Sequence, residues 1–166
     1  MQPFEVKLSY NRKDWCTVPL EIGHDEIGDA EHPEWVSVHP DIVEIFTTLG
    51  FPHPNPVPLM PLEYQVAQKI HGASEAGSRR THDLIDLQLI MANGEIDLAQ
   101  ARETSMRLFP YRKKQAWPPV VSKNEGWGER YASQSAGLDV LPTVDQATAW
   151  ANVLIARIDA AGSESE

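Results

Sequence analysis

A chain of 166 residues holds one domain, or one and a fragment. Its apolar share of 42% is enough for a core, and a net charge of −10 argues against a non-specific coat for nucleic acid, which needs clustered Lys and Arg. One cysteine, Cys16, precludes an internal disulfide and suits a reducing cytoplasm. No apolar run approaches the ~20 residues of a membrane span, and no signal-peptide core is present, so a soluble cytoplasmic protein is expected.

Taken in order, the first residues alternate: Phe4, Val6 and Leu8 against Glu5, Lys7 and Ser9, the period of a half-buried strand. A polar turn over Asn11 to Asp14 leads to a second strand, Trp15 to Ile22, and the two form a hairpin. Pro19 places that strand at an edge or a bulge. Because an isolated hairpin is marginal in water, both strands are expected to belong to a larger sheet with earlier strands outside this chain. Cys16 reads as a small buried apolar residue. Glu21 alternates with Leu20 and Ile22 and faces away from what they bury. The acidic stretch from Gly23 to Trp35 reads as a solvated loop without a calcium register. Pro40 to Leu49 is predicted helical, with Ile42, Ile45, Phe46 and Leu49 inward and Gly50 as its stop.

Five prolines in Phe51 to Pro61 exclude helix and mark a linker, with a short edge strand over Val57 to Met60. The run PLEYQVAQKIHGASEAGSRRTHDLIDLQLIM then reads as two amphipathic helices. Leu62, Val66, Ile70 and Ala73 line the first, and Leu84, Leu87 and Met91 line the second, with Ile85 and Leu89 widening its stripe. Gly77 and Ser78 break the chain between them, and Thr81 or Ser78 is placed to cap the second helix. So short a loop makes the helices antiparallel neighbours. Lys69, Asp83, Asp86, Arg79 and Arg80 therefore gather at the loop end, as an ion-pair network or as part of a site.

Beyond a turn at Asn93-Gly94, Asp97 caps a helix carrying Leu98, Ala101, Ser105 and Leu108. A basic cluster of Arg107, Arg112, Lys113 and Lys114 follows, then a helix with Trp127 and Tyr131 capped by Asn124. Thr143 and Gln146 form a capping box for a last helix bearing Val144, Ala147, Ala151, Leu154 and Ile158. The tail, residues 162–166, is expected to be disordered. The fold class is thus α+β, mainly helical. Six histidines show no zinc spacing, no phosphate-binding glycine loop is present, and the tryptophans read as packing residues.

The order of elements around Ala67-Gln68-Lys69 and His82-Asp83-Leu84-Ile85-Asp86-Leu87 resembles the C-terminal region of the AbiEii/AbiGii-type nucleotidyltransferase toxins. Their pattern there is a helix with A-x-K, a turn, and K/R-D-x-x-D-L. Trp117-Pro118, Trp127, Tyr131, Gly137-Leu138 and the closing helix are similar too, and VPLEI resembles the family's carboxylate-bearing strand. The resemblance implies a partial nucleotidyltransferase-like α/β part over residues 1–60 and a helical lobe over 61–161. It implies Asp83, Lys69 and Asp86 as catalytic residues, Lys69, Arg79 and Arg80 as nucleotide contacts, and Glu21 as a metal-site carboxylate. Mg²⁺ and an NTP are the implied cofactors. The implied partners are an RNA (tRNA-like) or protein acceptor and a cognate antitoxin, within a toxin–antitoxin or phage-defence system.

The chain departs from that pattern in lacking the Gly-Ser turn with two aspartates one residue apart. His82 stands where Lys or Arg is usual, and Gln68 where Glu is common. Weak or absent transfer is therefore expected, since one carboxylate of three binds Mg²⁺ poorly. The alternative reading is a non-enzymatic nucleotide- or protein-binding module using Lys69, Arg79, Arg80 and the Arg112–Lys114 cluster. A homodimer through the open sheet edge is the further expectation.

Overall fold

The computed structural model describes residues 2–28 and 31–162. Strand β1 (Gln2–Tyr10) pairs antiparallel with β2 (Lys13–Ile22). Asn11 and Arg12 both take positive φ, 50° and 61°, so the turn is a tight two-residue one whose twist suits a hairpin. The polar stretch expected over four residues shrinks to two because Lys13 and Asp14 join the ladder. Leu8 pairs Cys16 and Ser9 pairs Asp14, so Trp15 bulges out between them. Pro19 is tolerated because each strand of a two-stranded sheet is an edge.

The alternation places Phe4, Val6 and Leu8 beside Leu20, Val18 and Cys16 on one face. That face is not half-buried, however: Phe4, Val6 and Leu8 are 42%, 41% and 37% exposed. Cys16 is exposed as well, correcting the expectation of a buried thiol. The physical reason is shared. No second layer lies over this sheet among the described residues. Helix α1 (Pro40–Thr48) begins at Pro40 as expected, but Ile42, Ile45, Phe46 and Leu49 are exposed for the same want of a partner. Trp15 and Trp35 are also exposed, so packing does not account for every tryptophan. A second small sheet pairs β3 (Glu34–Val36) with β4 (Val57–Leu59).

The core lies among the remaining helices: α2 (Leu62–Ser74), α3 (His82–Asn93), α4 (Leu98–Arg112), α5 (Trp127–Gln134) and α6 (Val144–Ala160). Val66 and Ile70 of α2, Leu84 and Leu87 of α3, Phe109 of α4, Trp127 of α5 and Ile158 of α6 are sealed in one cluster. Each large side chain so buried contributes about 1.5–3 kcal/mol of transfer free energy, which is why the helical stripes fix the packing. Asp97 caps α4 by accepting from the amides of Ala99 and Gln100, and Thr143 caps α6 by accepting from Gln146. Helix α4 runs through Pro110, further than the prolines suggest, and ends at Lys113 in the left-handed region. Arg107 and Arg112 thus sit on the helix. Of the expected tail over residues 162–166, Gly162 is described, in a turn, and 163–166 lie outside the described residues. No helix of the described residues is long and apolar enough to cross a membrane.

Candidate functional site

The α2–α3 pair brings together four of the five charged residues that the sequence places at its loop end, Lys69, Arg80, Asp83 and Asp86. Lys69 Nζ donates to Asp86 Oδ2 at 2.6 Å and lies 3.2 Å from Asp83 Oδ1. Arg80 reaches the same Asp83 from the loop, with Nε 2.5 Å from Oδ2 and Nη2 3.2 Å from Oδ1. His82 Nε2 lies 3.5 Å from Asp83 Oδ1. Asp83 is fully buried, while the Lys69 side chain is 24% exposed and that of Asp86 is 37% exposed. Burial pulls the Lys69 amine down, but the bond to Asp86 and the charge of Asp83 outweigh it and hold the ammonium above its ordinary value. The Asp83 bond likewise raises Arg80.

Gly72 makes this packing feasible and was not singled out by the sequence. A Cβ there would overlap Asp83 Oδ2 and come within 2.7 Å of Arg80 Nε. A glycine inside a helical stripe is the signal that could have found it, because it costs helix stability unless something packs close. The loop is pinned from outside. Trp127 Nε1 donates to Ser78 O at 2.6 Å, and Asn124 accepts from Gly77 N and donates to Ser78 O. Asn124 is therefore not the cap of α5; that position is Gly126, at φ 73°. Thr81 occupies the N-cap position of α3 without a side-chain capping bond, its hydroxyl donating to Gln134 instead.

Other sequence candidates lie apart from this cluster. Glu21 is exposed, and no hydrogen bond or ion pair among the described residues joins it to Lys69, Asp83 or Asp86. Arg79 is exposed and unpaired among the described residues. The basic cluster is largely engaged within the chain: Arg112 holds Glu26, and Lys114 Nζ lies 2.6 Å from Glu75. Glu26 thus corrects the reading of residues 23–35 as wholly solvated. Clefts of about 510 to 660 Å³ among the described residues are lined by residues other than Lys69, Asp83, Asp86, Arg79 and Arg80.

The arrangement does not fit a divalent cation by itself. Both Asp83 oxygens are taken by cations, and no group of three or more metal-capable side chains exists among the described residues. The cluster therefore balances two cations, Lys69 and Arg80, against two carboxylates, with the Lys69 ammonium and Asp86 partly open to solvent.

The chain is thus a mainly helical α+β protein with an ammonium and two carboxylates joined across a helix pair. The family described as nucleotidyl transferase AbiEii toxin, type IV toxin–antitoxin system, matches residues 5–153. With most of its length matched, the chain belongs to that family. No curated protein matches it.

Proposed function

We propose that this chain serves nucleotidyl transfer from an NTP to a tRNA-like RNA or a protein acceptor, in a toxin–antitoxin or phage-defence system with a cognate antitoxin. The observation that carries the reading is the Lys69 ammonium, held by Asp83 and Asp86 yet partly open to solvent. Of its three N–H donors, two serve these carboxylates and the third is available to a phosphate oxygen. In the transfer, the acceptor hydroxyl oxygen bonds to the α-phosphorus as the bond to the pyrophosphate oxygen breaks. Lys69 offsets the charge gathering on the departing pyrophosphate, and Arg79 and Arg80 serve as nucleotide contacts. Asp86, whose side chain is partly open to solvent, accepts the hydroxyl proton. Asp83 is a positioning residue that orients Lys69 and Arg80.

Mg²⁺ supplies charge neutralisation across the triphosphate oxygens in such reactions. The carboxylates present do not hold it, with Glu21 detached from the cluster, so transfer by this chain alone is weak or absent. Incubation with Mg²⁺, labelled NTPs and tRNA tests this, with little label transfer expected. Robust transfer lost in Asp83→Ala and Lys69→Ala overturns the weakness and supports the residues; robust transfer that survives both changes sinks the site.

That no three-ligand group exists among the described residues favours one other reading, a non-enzymatic nucleotide- or protein-binding regulatory module. Titration with NTP separates the two, since tightening by Mg²⁺ belongs to the enzyme and indifference to the binder. In either case Lys69→Ala weakens NTP binding by roughly tenfold or more, the worth of a charge-assisted hydrogen bond.

A further inference from the structure

The β1–β2 hairpin is exposed along its length, and no hydrogen bond, ion pair or ring contact among the described residues joins residues 2–22 to a helix. The attachment comes just after β2. Glu26 accepts from Arg112 Nε at 3.0 Å and from Arg112 Nη2 at 2.5 Å, a forked pairing that fixes direction as well as distance. The Tyr64 hydroxyl donates to the same carboxylate at 3.1 Å. Ile27 packs beside Tyr64, Ala67 and Leu108, so the polar clamp has an apolar seat next to it. Tyr64 lies on α2, the helix that carries Lys69.

We propose that Glu26, gripped by Arg112 and Tyr64, is a latch that sets the orientation of the β1–β2 hairpin relative to α2 and α4. Gly23, with open space around it, separates the latch from the end of β2, and between them the exposed His24 Nε2, 3.4 Å from the Tyr111 hydroxyl of α4, adds one longer contact. Five residues span at most ~18 Å, so the latch confines Glu21 to a short radius about the clamp. Resting on the transfer reading above, this makes Glu26, Arg112 and Tyr64 positioning residues that decide whether Glu21 can approach the Lys69 face.

Cys16, the one cysteine and exposed on β2, gives a direct test. A fluorophore on Cys16 reports hairpin motion through the decay of its anisotropy in the full chain. In the unaltered chain it should follow tumbling of the whole body. Glu26→Gln and Arg112→Ala should each add a fast nanosecond component, which Arg112→Lys only partly suppresses because an ammonium lacks the fork. A cooperative melt, at a somewhat lower temperature, and unchanged far-ultraviolet circular dichroism confirm that the variants are folded, and Glu26→Gln decides should Arg112→Ala unfold. Identical decays in all chains, or a fast component already in the unaltered one, overturn the latch. No nucleotide enters this measurement, so failure of the transfer reading leaves its result intact. Where transfer is measurable, the variants should lower kcat roughly 10- to 100-fold with KM for the NTP unchanged. Released hairpins with unaltered kcat would overturn the positioning role.

Discussion

Asp83 and Asp86 look alike in sequence, three residues apart on one helix, but their surroundings make them unequal. Asp83 is fully buried against two cations, so Asp83→Ala strands an ammonium and a guanidinium in partly desolvated positions. The cost should be about 2–4 kcal/mol, somewhat below that of a fully buried pair because both cations reach water. Asp86 is exposed enough that Asp86→Ala should cost under about 1 kcal/mol. Urea unfolding of the two variants checks this, and equal losses would contradict the burial difference. Gly72→Ala belongs to the same scale. Its methyl has no room beside Asp83 and Arg80, and a loss of about 1–3 kcal/mol is expected where helix propensity alone predicts a gain.

Among elements, the α2–α3 pair is held at its loop end by residues far along the chain. Trp127 is fully buried and donates its indole N–H to Ser78 O. Trp127→Phe keeps most of the apolar contact and removes that donor, so a loss of about 1–2 kcal/mol should come with faster amide exchange over residues 75–81. Exchange unchanged there would mean the loop is held by other contacts. The β1–β2 hairpin presents the opposite case. With both faces open, its amides should exchange far faster than those of α2, α3 and α6, whose stripes are sealed in the core.

For the whole molecule, acid acts in two stages. His71 is buried with Nε2 unpartnered and its ring edge-on to Phe109, among Arg112, Lys114, Glu75 and Glu26. Burial, helped by Arg112, holds it below its ordinary 6.5. The unfolded chain therefore binds the proton first, and stability falls as pH drops below 6.5 toward the lowered folded value. Glu26 feels burial first, which raises it, but Arg112 and Tyr64 outweigh that and leave it lowered; Lys114 lowers Glu75. Their contributions are present above 4.5 and are lost only below it. Unfolding free energy measured from pH 8 to pH 5 should thus decline, and His71→Phe should flatten that decline. A slope that persists in the variant would place the proton elsewhere.

Period and capping chemistry are local properties, and they were readable in the chain. The stripes of α2, α3 and α6, the caps at Asp97 and Thr143, and the meeting of Lys69 with Asp83 and Asp86 across a short loop all follow from helical spacing. Burial and partnership are not local. That Phe4, Ile42 and Cys16 lie open, that Glu26 leaves its acidic loop for Arg112, and that Gly72 gives Asp83 its room were decided by which surfaces the folded chain sets against one another. A stripe states which side of an element can be buried; only the neighbours present in space determine whether it is.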